Sequence, residues 1–533
     1  MVGRGRTAAG RGASLAQDLI HRLPVGLRST GASAALRFGD AAKWLAIRSY
    51  PLFQLGATTP IPRWIEPLGA RAAVRAALHA YRRVPAYRDL VDRSGWTDDR
   101  SLTGTERLLR FPITDKKNYI ERYPTAERCL DGRLPLVGTQ MDESSGSSGT
   151  PFSWVRGSPE LSEMHRQFSQ YATYVFERPV VTINGFSMGA WSTGVNTAQA
   201  MYRNGLVKSP GPDLERILHT LGILGPQYVF VITGYPPFLR ELLEFGDAKS
   251  FDWRPYRMYG VVGGEPMSEQ LRDRLLTRFI AVYSAYGASD LDIGVGAETP
   301  ISIWLRRQAM AVPELRHLLF GDDPRLPMVF QFNPLDHNVE AVDGELVITV
   351  SRQAMLSPRI RYNIHDAGGA FTFDQMRAAC AQFGLDPMVV AKPFDRPPMR
   401  LPFLFVNGRS DSTISYMGAN IYPEDVEQAL FSDSAVADRL GSFALELRDI
   451  GGGAVRPSVH VEVVDRRDDD ESIRRTIRDA VVARLTANSR DFRDAVTENP
   501  TTADFLVELH APGEGPFAQN SGRIKRRYIV PTH

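Results

Sequence analysis

The stretch from Asp142 to Pro151, Asp-Glu-Ser-Ser-Gly-Ser-Ser-Gly-Thr-Pro, places four serines, two glycines and a threonine ahead of an apolar run, Phe152–Val155, that reads as a strand. Small residues let a backbone approach a polyphosphate closely, and exposed N–H groups and hydroxyls then bind its oxygens. The same composition also makes a plain Ser/Gly linker, and these residues alone leave both readings open. The run is not the Gly-x-x-x-x-Gly-Lys-Ser/Thr phosphate loop, because no lysine follows its second glycine. What decides between the readings is the order of the elements that come after it.

Gly263-Gly264-Glu265-Pro266 stands before a helical stretch, and Tyr286-Gly287-Ala288-Ser289-Asp290 follows. Then come Arg361-Tyr362 with Asp366, Gly408-Arg409 with Asp411, the run from Gly418 through Glu427, and Ser521-Gly522-Arg523 with Arg526. With the Ser144–Pro151 loop these are seven elements in one order, preceded by Val84–Leu90 and Phe111–Lys116. In that order the chain resembles the adenylate-forming superfamily of acyl-CoA synthetases, peptide-synthetase adenylation domains and luciferases, and within it the phenylacetate–CoA ligase branch. The resemblance spans about Ala76 to the C-terminus.

The resemblance implies ATP-dependent activation of a carboxylic acid. A carboxylate oxygen is joined to the α-phosphorus of ATP and pyrophosphate leaves, so cations, metal and N–H donors must bring two anions together. Ser144, Ser145, Gly146, Ser147, Ser148, Gly149 and Thr150 then hold the phosphates. Asp290 takes Mg²⁺, for which a hard oxygen ligand is suited. Gly264, Glu265, Tyr286 and Gly287 line the adenine pocket, Asp366 accepts hydrogen bonds from the ribose hydroxyls, and Arg409 reaches the ribose or phosphate end. Asp411 is the hinge about which a small domain turns, and Gly418, without a side chain, lines the tunnel for a pantetheine arm. The acceptor thiol belongs to CoA or to the phosphopantetheine of a carrier protein.

The chain departs from the family at three places. Asp290 replaces a glutamate, one methylene shorter. Ile364-His365 replaces Thr-Gly before the ribose aspartate. Arg523 stands where the family has its catalytic lysine, and a guanidinium fork places charge differently from an ammonium. Lys525 lies two residues on, and in an extended segment positions 523 and 525 project to one face. Catalysis is therefore assigned to Lys525, Arg523 and Asp290, with Lys525 supplying the ammonium.

These residues need a large scaffold. The chain has 533 residues, 43% of them hydrophobic, enough for a large domain and a smaller one. Lys and Arg number 63 against 61 Asp and Glu, a balance of +2 that does not suit a nucleic-acid binder. Cys129 and Cys380 are the only cysteines, which leaves no disulfide framework or Cys-based zinc site and fits a reducing, cytoplasmic setting. No apolar run reaches the roughly 20 residues needed to span a bilayer.

Alternating β-rich and helical runs imply an α/β architecture. Val180–Ile183 and Tyr228–Thr233 read as strands, and Glu269–Phe279 as a helix with Leu271, Leu275, Leu276 and Phe279 on one face. Ala70–Val91 reads as a helix interrupted before Pro85. After Asp411 the pattern becomes α+β. Phe443, Leu445 and Leu447 alternate, as do Val459, Val461 and Val463, and Phe505, Val507 and Leu509. Ile473, Ile477, Val481 and Leu485 make a helical stripe, Glu424–Phe431 is helical, Gly451–Gly453 is a hairpin loop, and Asp468–Glu471 starts a helix. Three strands and two helices are expected there. The expected organisation is an extension over residues 1–57, an adenylation domain over 58–408 and a mobile lid over 411–533.

The extension begins with a basic tail, Arg4, Arg6 and Arg11, lacking the apolar core of a secretory signal. Its segment Ala41–Phe53 is amphipathic. Packing on the main domain is the preferred reading, and contact with a membrane surface the other. Phe186, Met188, Trp191 and Tyr235 fall where related ligases line the acyl pocket, and suit an aromatic or medium apolar acid. The lead reading is an acyl- or aryl-CoA ligase. The others are an enzyme loading a carrier protein or an amine, a nucleotide-binding protein without turnover, and a membrane-associated assembly factor that uses residues 1–57.

Overall fold

The computed structural model describes residues 25–518 apart from residues 103, 145–151, 177, 190–191, 322–325, 353, 390–396, 410–412, 432–438, 452 and 465–469. Asp142 and its neighbours form a hairpin: β1 (Thr139–Ser144) pairs antiparallel with β2 (Phe152–Gly157), and Ser144 faces Phe152. The residues between these strands are the Ser/Gly run.

The main body is built on eleven strands: β3 (Val180–Asn184), β4 (Gly205–Lys208), β5 (Val229–Gly234), β6 (Arg257–Gly263), β7 (Ala281–Tyr286), β8 (Gly296–Ala297), β9 (Met328–Gln331), β10 (His337–Val342), β11 (Glu345–Val350), β12 (Tyr362–Phe371) and β13 (Phe403–Arg409). They form one sheet in the order β10-β11-β12-β13-β9-β8-β7-β6-β5-β3-β4. From β4 to β7 the pairing is parallel, because helices such as Leu214–Leu224, Pro236–Ala248 and Glu269–Leu275 cross over between strands. Strands buried on both faces read as apolar runs, and all five residues of Val180–Asn184 are buried. From β7 to β10 the pairing is antiparallel.

The expected helix over Glu269–Phe279 stops at Leu275, although Leu271, Leu275 and Phe279 are all buried. Helices Ile61–Arg83 and Pro85–Arg93 meet at Val84, where proline disfavours helical geometry for the residue before it. The segment Ala41–Phe53 packs on the main body. The Lys43 ammonium sits 2.7 Å from both Glu163 and Asp336, and Gln170 donates to the Ile47 carbonyl at 3.1 Å.

The C-terminal part holds a two-stranded ribbon, β14 (Ile414–Tyr416) and β15 (Ala419–Ile421), and a three-stranded sheet of β16 (Leu440–Gly451), β17 (Ala454–Val463) and β18 (Leu506–His510). β16 and β17 are antiparallel and β17 and β18 parallel. The alternating residues Phe443, Leu445, Val459, Val461, Val463 and Val507 are buried on one face, against the stripe Ile473, Ile477, Val481 and Leu485 of helix Glu471–Asn488. Asp470 caps that helix by accepting from Ser472 N–H at 2.9 Å. Helix Arg490–Glu498 and the ribbon were not expected from the sequence. Among the described residues both cysteines are free and buried, and no helix is long and apolar enough to cross a membrane.

Candidate active site between the large and small domains

Ligands of open α/β sheets bind beyond the carboxyl ends of the parallel strands. Here β5, β6 and β7 end at Gly234, Gly263 and Tyr286, and a cavity of about 390 Å³ opens beyond them. Gly264, Glu265, Tyr286, Gly287, Asp290, Asp366 and Arg409 all line it, and the small domain closes it with Gly418, Asn420 and Asp491. Gly264 and Asp491, 227 positions apart in the sequence, thus face one space.

Asp366 and Arg409 are register partners across β12 and β13. Tyr286 OH donates to Asp366 Oδ2 at 2.6 Å, and Arg409 Nη1 lies 3.9 Å from Oδ1. Burial, reinforced by the Asp366 carboxylate, pushes the Tyr286 phenol well up, so it remains a donor at neutral pH. Its ring stacks on Phe330 with centroids 5.5 Å apart. After Tyr286 the chain turns so tightly that a Cβ on Gly287 would stand 2.3 Å from the Ile293 carbonyl oxygen, which only glycine permits.

Asp290 is buried on the cavity wall. Tyr362 OH lies 3.2 Å from its Oδ2, and the Lys116 ammonium 3.9 Å from the same atom. The loop that carries it is held from behind. Arg359 Nε donates to the Asp290 carbonyl at 2.8 Å, and Arg156 Nη2 donates to the Ser289 carbonyl at 2.6 Å. Arg156 also donates through Nε to Asp142 Oδ2 at 2.9 Å, an ion pair buried within the hairpin. Burial, with the Arg156 charge nearby, lowers the Arg359 guanidinium to about 10, still cationic at neutral pH.

On the small-domain side, Gly418 N–H donates to Glu265 Oε1 at 2.8 Å. Gly418 has φ +83°, and a Cβ there would fall 2.4 Å from Cζ and the hydroxyl of Tyr235. Burial raises the Glu265 carboxyl to about 8, with the Gly418 N–H pulling down and the Glu241 charge pushing up. Asn420 N–H donates to Asp491 Oδ2 at 3.1 Å, Thr501 Oγ1 donates to Glu241 Oε1 at 2.9 Å, and Ser187 donates to Glu498. The Gly418–Glu265, Thr501–Glu241 and Ser187–Glu498 bonds hold the small domain against the large one, whereas the Asn420–Asp491 bond lies within the small domain.

Phe186 and Tyr235 line this cavity, their rings edge to face at 5.5 Å, while Met188 lies off it beside Asn184. A second chamber of about 130 Å³ shares Phe168, Thr197, Ala285 and Ile293 with the first. Phe53, Met164, Tyr171, Ala200 and Met399 supply much of its apolar wall, and His165, hydrogen-bonded to Asn196 at 2.9 Å, supplies a polar edge. His365 stands 3.2 Å from Glu345 rather than on the cavity wall.

Among the expected site residues, Ser145, Gly146, Ser147, Ser148, Gly149, Thr150, Trp191, Asp411, Arg523 and Lys525 lie outside the described residues. Ser144 is placed as the last residue of β1. Sequence reasoning missed Lys116, Arg156, Arg359, Asp491 and the second chamber. Lys116 alone had a visible signal, since it ends the Phe111–Lys116 element.

No family model matches the chain. A phenylacetate-coenzyme A ligase of Thermus thermophilus is 24% identical over 364 residues, covering 67% of this chain and 73% of the relative. A crystal structure of 2-hydroxyisobutyryl-CoA ligase, with 2-HIB-AMP and CoA in the thioesterification state, superposes with a TM-score of 0.60 at 16% identity. That match covers 89% of this chain and 91% of the other. The same ligase in its postadenylation state with 2-HIB-AMP gives a TM-score of 0.50 at 16% identity, covering 89% and 90%. The chain has the fold of the adenylate-forming superfamily. The α/β expectation of a large domain with a small α+β one holds.

Proposed function

We propose that the protein activates a carboxylic acid with ATP and passes the acyl group to the thiol of CoA. The observation that carries the reading is the inter-domain cavity, in which an Asp366–Tyr286–Arg409 set and the Asp290 wall face Gly418 across one space. In the first step a carboxylate oxygen attacks the α-phosphorus, the bond to pyrophosphate breaks, and an acyl-adenylate forms. In the second a thiolate sulfur attacks the acyl carbon and AMP leaves.

Asp366 accepts from the ribose hydroxyls while Tyr286 fixes its second oxygen. The Tyr286–Phe330 stack offers a flat wall to the adenine. Arg409 and Lys116 bring positive charge to the phosphate side, and residues 144–150 supply N–H groups and hydroxyls there. The donor set fits Mg²⁺: Asp290 is a buried hard-oxygen donor whose two contacts both fall on Oδ2, beside a lysine that marks the anionic end. Mg²⁺ held there would neutralise phosphate charge. Lys525 or Arg523 supplies the cation between the carboxylate and the α-phosphate, and Asp411 serves as the hinge.

Phe186 and Tyr235 form the throat, and the acyl group occupies the second chamber. A cavity of about 150 Å³ takes a benzene ring, so a chamber of about 130 Å³ suits a small aryl or a medium aliphatic acid. Pyrophosphate release with ATP, Mg²⁺ and a panel of aryl and aliphatic acids, with and without CoA, tests the reading. Acid-dependent release followed by a CoA thioester is expected. Release without thioester would transfer the acceptor role to a carrier protein or an amine, and ATP binding without release would make this a nucleotide-binding protein.

A further inference from the structure

The strand alternation that buries one face of the β16–β17–β18 sheet sends the intervening residues to its other face. Glu446, Arg448, His460, Glu462, Glu508 and His510 all project there, with His460 directly across from Glu508 on the parallel pair. His460 is only 5% exposed, an unusual degree of burial for an imidazole on an outer sheet face. The chain after β18 folds over it. Phe517 packs edge-on against His510 at 5.7 Å, a Cβ on Gly515 would stand 2.4 Å from His510 Nδ1, and Gly513 N–H donates to Glu462 Oε1 at 2.8 Å.

The tautomer of His460 follows from its neighbours. Its Nε2 lies 2.8 Å from the Glu446 carboxylate, an acceptor, so Nε2 carries the proton and Nδ1 presents a lone pair. That lone pair faces His510 Nε2 at 2.9 Å and Glu508 Oε2 at 3.6 Å, and Oε2 is 4.0 Å from His510 Nε2. Arg448 engages Glu508 through Oε1, the oxygen turned away from the imidazoles. Three Lewis-basic atoms therefore converge. A proton from His510 Nε2 answers the His460 lone pair and leaves Glu508 Oε2 facing that lone pair. A cation at the centre answers all three.

Ligand atoms about 2.0–2.2 Å from a tetrahedral ion stand roughly 3.4 Å from one another. The observed separations of 2.9, 3.6 and 4.0 Å bracket that value. A carboxylate on the second nitrogen of a ligating histidine is the usual support of such a site. Two imidazoles and one carboxylate are the donors preferred by borderline divalent ions rather than by Mg²⁺ or Ca²⁺.

We propose that His460 Nδ1, His510 Nε2 and the Glu508 carboxylate form a site for a divalent transition-metal ion of the zinc type, with Glu446 orienting His460. The ion joins β17 to β18 on the face opposite the small-domain core and stabilises that domain. The site is separate from the adenylation chemistry and stands whether or not that reading holds.

The test uses the full chain, stripped with a chelator and titrated with Co²⁺ and then Zn²⁺. One Co²⁺ per chain with the visible absorption of a tetrahedral ion is expected, displaced by Zn²⁺, with a rise in melting temperature as Zn²⁺ is added. His510→Asn and Glu508→Gln each abolish the bands. Glu446→Gln weakens affinity by roughly 10–100-fold at unchanged stoichiometry, and His317→Asn, at an exposed position far from the cluster in sequence, leaves binding intact. Circular dichroism of each variant confirms folding, and the partly exposed His510 carries the test if a His460 variant does not fold. Absence of Co²⁺ and Zn²⁺ binding by the wild-type chain overturns the proposal, as does binding that His510→Asn and Glu508→Gln leave unchanged.

Discussion

Arg156 donates through Nη2 to the carbonyl of Ser289 at 2.6 Å, and so ties the β1–β2 hairpin to the loop that presents Asp290. Its Nε is taken by Asp142, and the next carbonyl, that of Asp290, is taken by Arg359. The Arg359 guanidinium lies 4.9 Å over the Trp154 ring, so its charge is held over an aromatic face of the same hairpin. The two segments assigned to the phosphates and to Mg²⁺ are thus fixed to each other by buried cations.

Arg156→Met keeps the side-chain bulk and leaves Asp142 buried and unpaired. Breaking a buried pair in this way costs about 3–5 kcal/mol, and urea unfolding should show a loss of that order. The double variant Asp142→Asn with Arg156→Met should regain much of the stability, since no lone buried charge remains. Pyrophosphate release should stay low in both, because neither restores the bond to Ser289. Recovery of activity along with stability in the double variant would reduce Arg156 to a packing residue.

The sequence displayed those parts of the fold that repeat at short range. Val459, Val461 and Val463 alternate and form a strand, and Ile473, Ile477, Val481 and Leu485 recur at helical spacing and form a helix. The motif order displayed Asp366, Tyr286, Glu265 and Arg409, all of which line the cavity. Contacts made over long separations left no local trace. Arg156 reaches Ser289 across 133 positions, and Phe53 lines a chamber with Met399. Helix Arg490–Glu498 buries only Asp491, Phe492 and Ala495, too few apolar positions to show a period.

Glu265 gives the protein a pH dependence whose sign is fixed. Burial first, and the Glu241 charge second, raise its carboxyl from 4.5 to about 8, against the opposing Gly418 N–H. The folded chain keeps this proton where the unfolded chain has lost it. The group's contribution to stability is therefore full below about pH 4.5 and is lost as pH rises towards about 8. Urea unfolding of wild type and Glu265→Gln across that window should show a downward slope in the first and a flatter one in the second. Parallel slopes would remove Glu265 from the account.

On the proposed reading, Gly418 separates the two half-reactions. With φ +83° and Tyr235 2.4 Å from any Cβ, Gly418→Ala meets both a backbone penalty and a clash. The left-handed conformation alone costs an alanine roughly 1–2 kcal/mol, so population of the docked arrangement should fall roughly tenfold or more. Thioester formation should drop by that factor in a CoA assay, with acid-dependent pyrophosphate release reduced much less. Equal losses in both steps would show that the docked arrangement serves neither step selectively.

Asp366 and Tyr286 form one hydrogen-bonded unit, which the proposed function turns towards the nucleotide. Asp366→Asn keeps the shape and removes the charge that accepts from Tyr286 and faces Arg409. Hydrogen bonds to charged groups are worth about 1.5–3 kcal/mol, so the KM for ATP should rise roughly ten- to a hundredfold with little change in the KM for the acid. Tyr286→Phe should raise it less, since the carboxylate is still present. A rise in the acid KM of the same size would place Asp366 at the acyl end of the cavity.

On the proposed reading, the cation of the first step comes from the C-terminal stretch, where Arg523 stands at the lysine position of the family that the sequence resembles and Lys525 follows. An ammonium is a compact charge that fits between a carboxylate and a phosphate, whereas a guanidinium fork spans them. We expect Lys525→Ala to lower acid-dependent pyrophosphate release by at least about a hundredfold, the scale of losing one preorganised charge at a transition state. The acyl-adenylate, supplied ready-made, should still be converted to thioester with CoA, because that step does not use the ammonium. Arg523→Lys should leave release unchanged or raise it. If Lys525→Ala releases pyrophosphate at the wild-type rate while Arg523→Ala does not, the guanidinium performs the step itself.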